Sequence, residues 1–146
     1  MKFRIIKETD IDECSSLFAT VFSSSPWNEE WTKQLALERL THFYESKSFL
    51  GVVAKKESIV GFALGNIEPF YFGSIFYLRE MCVSSTLQRK GIGSGVIDTL
   101  DSELSQLNVK RIYLATEHTI PAASFYQDKG FVHSKELGFY SRSVNS

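Results

Sequence analysis

Gln88-Arg89-Lys90-Gly91-Ile92-Gly93 stands between an apolar run, Phe76-Tyr77-Leu78-Arg79-Glu80-Met81-Cys82-Val83, and an amphipathic stretch from Ser94 to Leu107. Val96, Ile97, Leu100, Leu104 and Leu107 give that stretch a helical apolar stripe. Strand, glycine-rich turn and helix in this order build an anion site. Glycine lets backbone approach a ligand closely, and the first-turn N–H groups with the positive end of the helix dipole favour phosphate. Arg89 and Lys90 add positive charge at the rim. A phosphorylated cofactor is the expected ligand.

Working outward, Phe3 to Lys7 reads as a strand, and Thr9-Asp10-Ile11-Asp12 offers caps for a helix ending near Phe22. Ile11, Cys14, Leu17, Phe18, Val21 and Phe22 carry its periodicity. Ser23-Ser24-Ser25-Pro26 breaks it, and a second helix is expected from about Asn28 to Ser46, with Trp31, Leu35, Leu37 and Leu40 as apolar positions. Phe49 to Lys55 and Ile59 to Ile67 form a hairpin about Lys56-Glu57-Ser58. An aromatic loop, Glu68 to Ser74, precedes a long strand from Ile75 to Val83. Beyond the third helix, Asn108 is a C-cap, Val109 to Ala115 a buried strand, and Pro121 to Lys129 a short helix closed by Gly130. Phe131 to Lys135 and Phe139 to Val144 read as two closing strands. No repeat or linker interrupts the 146 residues, so a single α+β domain over 1–146 is expected.

Composition narrows the function classes. Hydrophobic residues make up 43% and charged residues 23%, as in an ordinary folded protein, and a net charge of −1 gives no basic field for nucleic acid. Cys14 and Cys82 lack partner ligands at metal spacing, so neither a zinc site nor a disulfide framework is suggested, and two buried free thiols are expected. The N-terminal Met1-Lys2-Phe3-Arg4-Ile5-Ile6 is too short in apolar residues for a signal peptide, and no run reaches the length of a membrane span. A cytoplasmic location is the expectation. The glycine-rich turn lacks the Gly-Lys-Ser/Thr ending of a P-loop, which argues against nucleotide hydrolysis.

The Gln88–Gly93 segment resembles motif A of the GCN5-related N-acetyltransferases (GNAT), written Arg/Gln-x-x-Gly-x-Gly/Ala, and falls after the fourth strand as it does in that family. Ala122-Ala123-Ser124-Phe125-Tyr126-Gln127-Asp128-Lys129-Gly130-Phe131 is similar to the family's later motif, an Ala, then a Tyr, then a Gly-Phe pair. The order of elements matches along nearly the whole chain. The resemblance implies the GNAT fold: a central mixed, mostly antiparallel sheet of about seven strands flanked by about four helices. It also implies acetyl-CoA as cosubstrate, an amine as acceptor, and direct attack in a ternary complex with no covalent nucleophile. One position departs. The family often has Asn three residues before the Ala, where this chain has Thr119, shorter in reach toward a pantetheine arm. His118 beside it is read as a surface residue.

The resemblance further implies that backbone groups of Met81, Cys82 and Val83 pair with pantetheine like an added strand. The turn Gln88, Arg89, Lys90, Gly91, Ile92, Gly93 and Ser94 would hold the pyrophosphate, and an N–H near Cys82 would polarise the thioester carbonyl. Tyr126 is the candidate general acid for the leaving thiolate; its alternative is a packing aromatic. Glu80 is the candidate base, the only carboxylate of the long strand. Strand alternation gives it a face with Leu78 and Cys82, where burial raises a carboxyl pKa. Its alternative is an ion pair with Arg79 or Lys110. In the family, the first two helices, their connection and the loop before the fourth strand build the acceptor site. That designates Trp27, Glu29 and Trp31, with Phe70 and Tyr71. Aromatic faces beside carboxylates suit a cationic amine, although Trp31 also reads as core and Glu29 as a helix-start charge.

A small cationic amine is therefore the expected acceptor. A protein lysine or N-terminus, and a non-catalytic acyl-CoA sensor, are the alternatives. Homodimerisation through sheet edges is open.

Overall fold

The computed structural model describes residues 1–117 and 119–144, so the expectation for His118 lies outside the described residues. The chain divides into two compact units, Met1–Leu114 and the stretch from Ala115 onward.

In the first unit, β1 (Lys2–Ile5), β2 (Phe49–Lys55), β3 (Ile59–Phe70), β4 (Gly73–Val83) and β5 (Val109–Tyr113) form one sheet in the order β1-β2-β3-β4-β5. Neighbours are antiparallel through β4, and β5 joins β4 in parallel. Helices α1 (Ile11–Phe22) and α2 (Lys33–Tyr44) pack on each other and on the sheet, and α3 (Ile92–Gln106) packs against β1 to β5. Phe18 and Cys14 of α1, Leu40 and Ala36 of α2, and Val53, Phe62, Leu64 and Cys82 of the sheet share one core.

The differences from the expected boundaries have local causes. Thr32 accepts a hydrogen bond from the Leu35 N–H and starts α2 at Lys33 rather than near Asn28, whose backbone is left-handed at φ 51°. The helix buries Ala36, Leu40 and Phe43, while Leu35 is exposed. The aromatic loop before β4 is mostly strand: β3 runs on to Phe70, β4 begins at Gly73, and the turn is only Tyr71-Phe72. Helix α3 starts at Ile92 and buries Ile92, Val96, Ile97, Leu100 and Leu104, but Leu107 lies past its end and is 55% exposed.

The second unit carries α4 (Pro121–Asp128), with Pro121 in its first turn and Gly130 at φ 89° just past its end. The two closing strands do not form among the described residues, and the sheet has five strands rather than about seven. Val132, Leu137, Phe139 and Tyr140 are strongly exposed. Alternating apolar residues favour a strand only where a ladder partner and a covered face exist, and residues 131–144 have neither.

Candidate active site

The site is built where β4 loses a neighbour. Its pairing with β5 runs from Ser74↔Val109 to Tyr77↔Tyr113 and stops, because β5 ends at Tyr113. The Tyr77 and Tyr113 rings meet at 4.5 Å, and the Tyr113 hydroxyl donates to Glu68 of β3, fastening the last paired rung. Beyond it, residues 78–83 pair with β3 alone. The Ser84 N–H donates to the Val60 carbonyl at 2.8 Å, which sets the parity of the ladder. In an antiparallel pair both backbone groups of a residue point to the same side, and sides alternate. Cys82 therefore turns its N–H and C=O to β3, whereas Met81 and Val83 turn theirs to the unpaired edge. Of the three expected backbone contacts, two present themselves.

That edge continues into the start of α3. The Gln88 side-chain amide donates to the Val83 carbonyl at 3.1 Å and ties the turn to the strand. Arg89 and Gly91 are left-handed, at φ 67° and 81°. Alternation of this kind gathers successive N–H groups into an anion-binding concavity. No atom lies within 4 Å of a Cβ built on Gly91, so conformation rather than space requires glycine there. The first backbone bond of α3 is Gly95 N–H to Gly91 C=O, so the N–H groups of Ile92, Gly93 and Ser94 precede the helical ladder. The first turn carries no acidic residue to repel an anion. A pantetheine arm along the β4 edge and a pyrophosphate at α3 match these donors.

Glu80 sits on the same strand but not as alternation alone implied. In the ladder Leu64 faces Glu80 while the next residue, Gly65, faces Leu78, so Arg79 is an extra residue in β4. A bulge of one residue reverses the side-chain faces across it. Glu80 keeps the face of Cys82, on the side of α1 and α2, but loses that of Leu78. Its carboxylate is mostly buried, and Oε1 accepts from the Arg39 Nε at 2.8 Å. Arg39 belongs to α2, so the partner is neither Arg79 nor Lys110. Its guanidinium lies over the Phe43 ring at 5.0 Å and the Trp31 ring at 5.9 Å. Arg79 lies over Tyr77 at 3.9 Å and Phe43 at 5.8 Å. Burial raises the Glu80 carboxyl above the usual carboxylate range; the Arg39 charge and hydrogen bond pull it back, and Glu29 adds a smaller upward push.

Glu29 and Trp31 join this cluster: the Trp31 indole N–H donates to Glu29 Oε1 at 2.8 Å, and its ring meets Phe18 edge-on at 4.9 Å. Trp27 packs on Phe22 at 4.9 Å. Among the described residues, Phe70 and Tyr71 do not join it through any ring contact; they pack with each other and with Phe72 at the exposed β3–β4 tip. In the second unit, Thr119 is exposed before α4, and Tyr126 of α4 packs on Phe125 and Phe131 at 5.4 and 5.5 Å. Both thiols are buried and free. Burial pushes Cys14 up to about 12 and Cys82 well above its ordinary value, which leaves neither as a thiolate nucleophile. Arg39 was not singled out by sequence reasoning. Its signal was a charged residue beside Leu40 on the stripe Ala36, Leu40, Phe43.

The acetyltransferase (GNAT) family model matches residues 11–131. The chain belongs to the GNAT family. No curated protein sequence matches it. Among solved structures, an aminoglycoside acetyltransferase from an uncultured soil metagenomic sample, in complex with sisomicin, is 18% identical, with a TM-score of 0.77 over 99% of this chain and 96% of that one. An aminoglycoside N-acetyltransferase in complex with CoA is 15% identical, with a TM-score of 0.76 over 98% and 95%. The ribosomal-protein-alanine N-acetyltransferase of Brucella melitensis is 14% identical, with a TM-score of 0.73 over 98% and 98%. At these identities the likeness is one of fold. This GNAT protein is an N-acetyltransferase that uses acetyl-CoA. No helix among the described residues is long and apolar enough to cross a membrane.

Proposed function

We propose that this GNAT protein acetylates the primary amine of a small cationic acceptor, by direct attack with both substrates bound. One observation carries the choice of acceptor. At the base, the Glu80 carboxylate and the rings of Trp31 and Phe43 already hold a guanidinium, that of Arg39, and a second carboxylate, Glu29, accepts from the Trp31 indole. Carboxylates with aromatic faces are the surroundings that a protonated amine requires.

Acetyl-CoA supplies an activated acetyl thioester. Glu80 takes a proton from the acceptor ammonium, directly or through one water; the freed lone pair then attacks the thioester carbonyl carbon, and the adduct nitrogen gives up its second proton to solvent as the amide forms. An N–H on the open β4 edge, from Met81 or Val83, stabilises the carbonyl oxygen as it gains charge. The phenol of Tyr126 returns a proton to the sulfur as the C–S bond breaks, a role supported by the motif match from Ala122 to Phe131. Residues Gln88 to Ser94 anchor the pyrophosphate, and Thr119 is assigned to the pantetheine arm. Trp27, Phe70 and Tyr71 complete the acceptor surface in this reading.

Thiol release from acetyl-CoA is measured against polyamines, aminoglycosides, amino acids and lysine peptides. Turnover is expected with a cationic small-molecule class, falling on the order of 10²-fold in Glu80→Gln and in Tyr126→Phe. Turnover confined to lysine peptides would move the acceptor to proteins. Acetyl-CoA binding without turnover, unaltered by either substitution, would favour a sensor.

A further inference from the structure

We infer that Arg39 is a positioning residue that keeps Glu80 ionised and fixes the direction of its carboxylate toward the acceptor. The inference rests on the reading of Glu80 as the base. Three observations carry it. First, Arg39 comes from α2, forty-one residues from Glu80 in sequence, and meets it at 2.8 Å through Nε. Second, the guanidinium is held independently of the carboxylate, over Phe43 and Trp31. A plane held by two aromatic faces confines the hydrogen bond to one direction. Third, the contact engages Oε1, and among the described residues no other hydrogen bond reaches the Glu80 carboxylate, so Oε2 is the oxygen left for an acceptor proton.

Electrostatics agrees with the geometry. The charged and titratable groups around Glu80 are Arg39 from α2, Glu29 from the connection between the helices, and Arg79 and the Cys82 thiol from β4 itself. Burial disfavours the carboxylate, and Glu29 disfavours it further. Arg39 is the opposing charge in direct contact. Without it the folded-state pKa rises, and the fraction of Glu80 able to accept a proton at neutral pH falls. Leaving the base protonated costs more rate at low pH than at high pH.

The test is to follow the Glu80 side-chain carboxyl carbon by ¹³C NMR titration in the wild-type protein, Arg39→Gln and Arg39→Lys, alongside the pH profile of kcat/KM. In Arg39→Gln the Glu80 midpoint is expected to move to higher pH. The acidic limb of kcat/KM should move with it, so that activity lost at pH 6 returns toward wild type at pH 9, while acetyl-CoA affinity is unchanged. Arg39→Lys restores the midpoint in part, because it returns the charge without the planar fork. An unmoved Glu80 midpoint in Arg39→Gln overturns the inference, as does a rate loss equal at every pH. Full turnover in Glu80→Gln overturns the reading of Glu80 as base instead, and the NMR arm still decides what Arg39 does to the carboxyl.

Discussion

Asp10 accepts three hydrogen bonds through its carboxylate. Both its oxygens accept from Arg4, at 2.7 and 2.9 Å, and Oδ2 also accepts the Lys7 N–H at 2.7 Å. The Arg4 hydrogen bond outweighs burial and holds the carboxyl below its ordinary pKa. The pair ties β1 to the start of α1. Asp10→Asn should cost roughly 2 kcal/mol in urea unfolding at pH 7, a figure scaled down from fully buried pairs because Arg4 is partly exposed. A depressed folded-state pKa stabilises above the unfolded value, near about 4, and that stability is lost as pH falls through the folded value. The difference between wild type and Asp10→Asn should therefore shrink on going from pH 7 to pH 3. A difference that does not change with pH would show that the carboxylate charge is not what Asp10 contributes. Glu80 has the opposite sign: its raised pKa makes the ionised form the costly one, and that cost is present above the folded-state value.

Among the elements, β4 decides most. The Arg79 bulge, the loss of β5 beyond Tyr77, and the turn into α3 follow one another along the strand. Gly65, opposite the bulge, shows how tight the arrangement is: a Cβ there would lie 1.9 Å from the Tyr77 carbonyl oxygen. Backbone cannot step aside as a flexible side chain does. Gly65→Ala should cost roughly 3 kcal/mol, read as a lower denaturation midpoint, and should disturb Glu80 through the bulge. A midpoint within about 0.5 kcal/mol of wild type would mean that the bulge relaxes freely. The core strands and α3 were legible because burial and periodicity are local signals: Phe49–Lys55 and the Val96, Ile97, Leu100, Leu104 stripe stand as read. The bulge was not legible, because Leu78-Arg79-Glu80 alternates acceptably in sequence and the extra residue is defined only against β3.

At the scale of the whole molecule, the proposed function makes the β4 edge and the α3 N-terminus parts of one acetyl-CoA site. Acetyl-CoA at 100 times its Kd should stabilise the protein by about 2.7 kcal/mol, raising the thermal midpoint by several degrees. Gly91→Val should reduce that gain, since φ 81° is a strained conformation for a branched side chain. An equal rise in both proteins, measured at the same ligand concentration, would place the pyrophosphate elsewhere. The Gly95 contact belongs to the same scale. A Cβ there would come within 2.4 Å of the Phe3 ring, so α3 rests on β1 through glycine, and the start of α3 is braced by the far edge of the sheet.

The sequence by itself determined the family, the succession of strand, glycine-rich turn and helix from β4 into α3, and the burial of both thiols. These depend on residue type at short spacing, where steric and hydrogen-bonding preferences act directly. Only the tertiary structure decided that Met81 and Val83, and not Cys82, present backbone to the open edge, because ladder parity is set by the pairing of Ser84 with Val60. It also decided that Glu80 answers to Arg39, since α2 and β4 meet only when both pack on the same core. Residues 131–144 make the converse point: their alternation was plain in the sequence, but a strand is completed by a neighbour, and none pairs with them among the described residues.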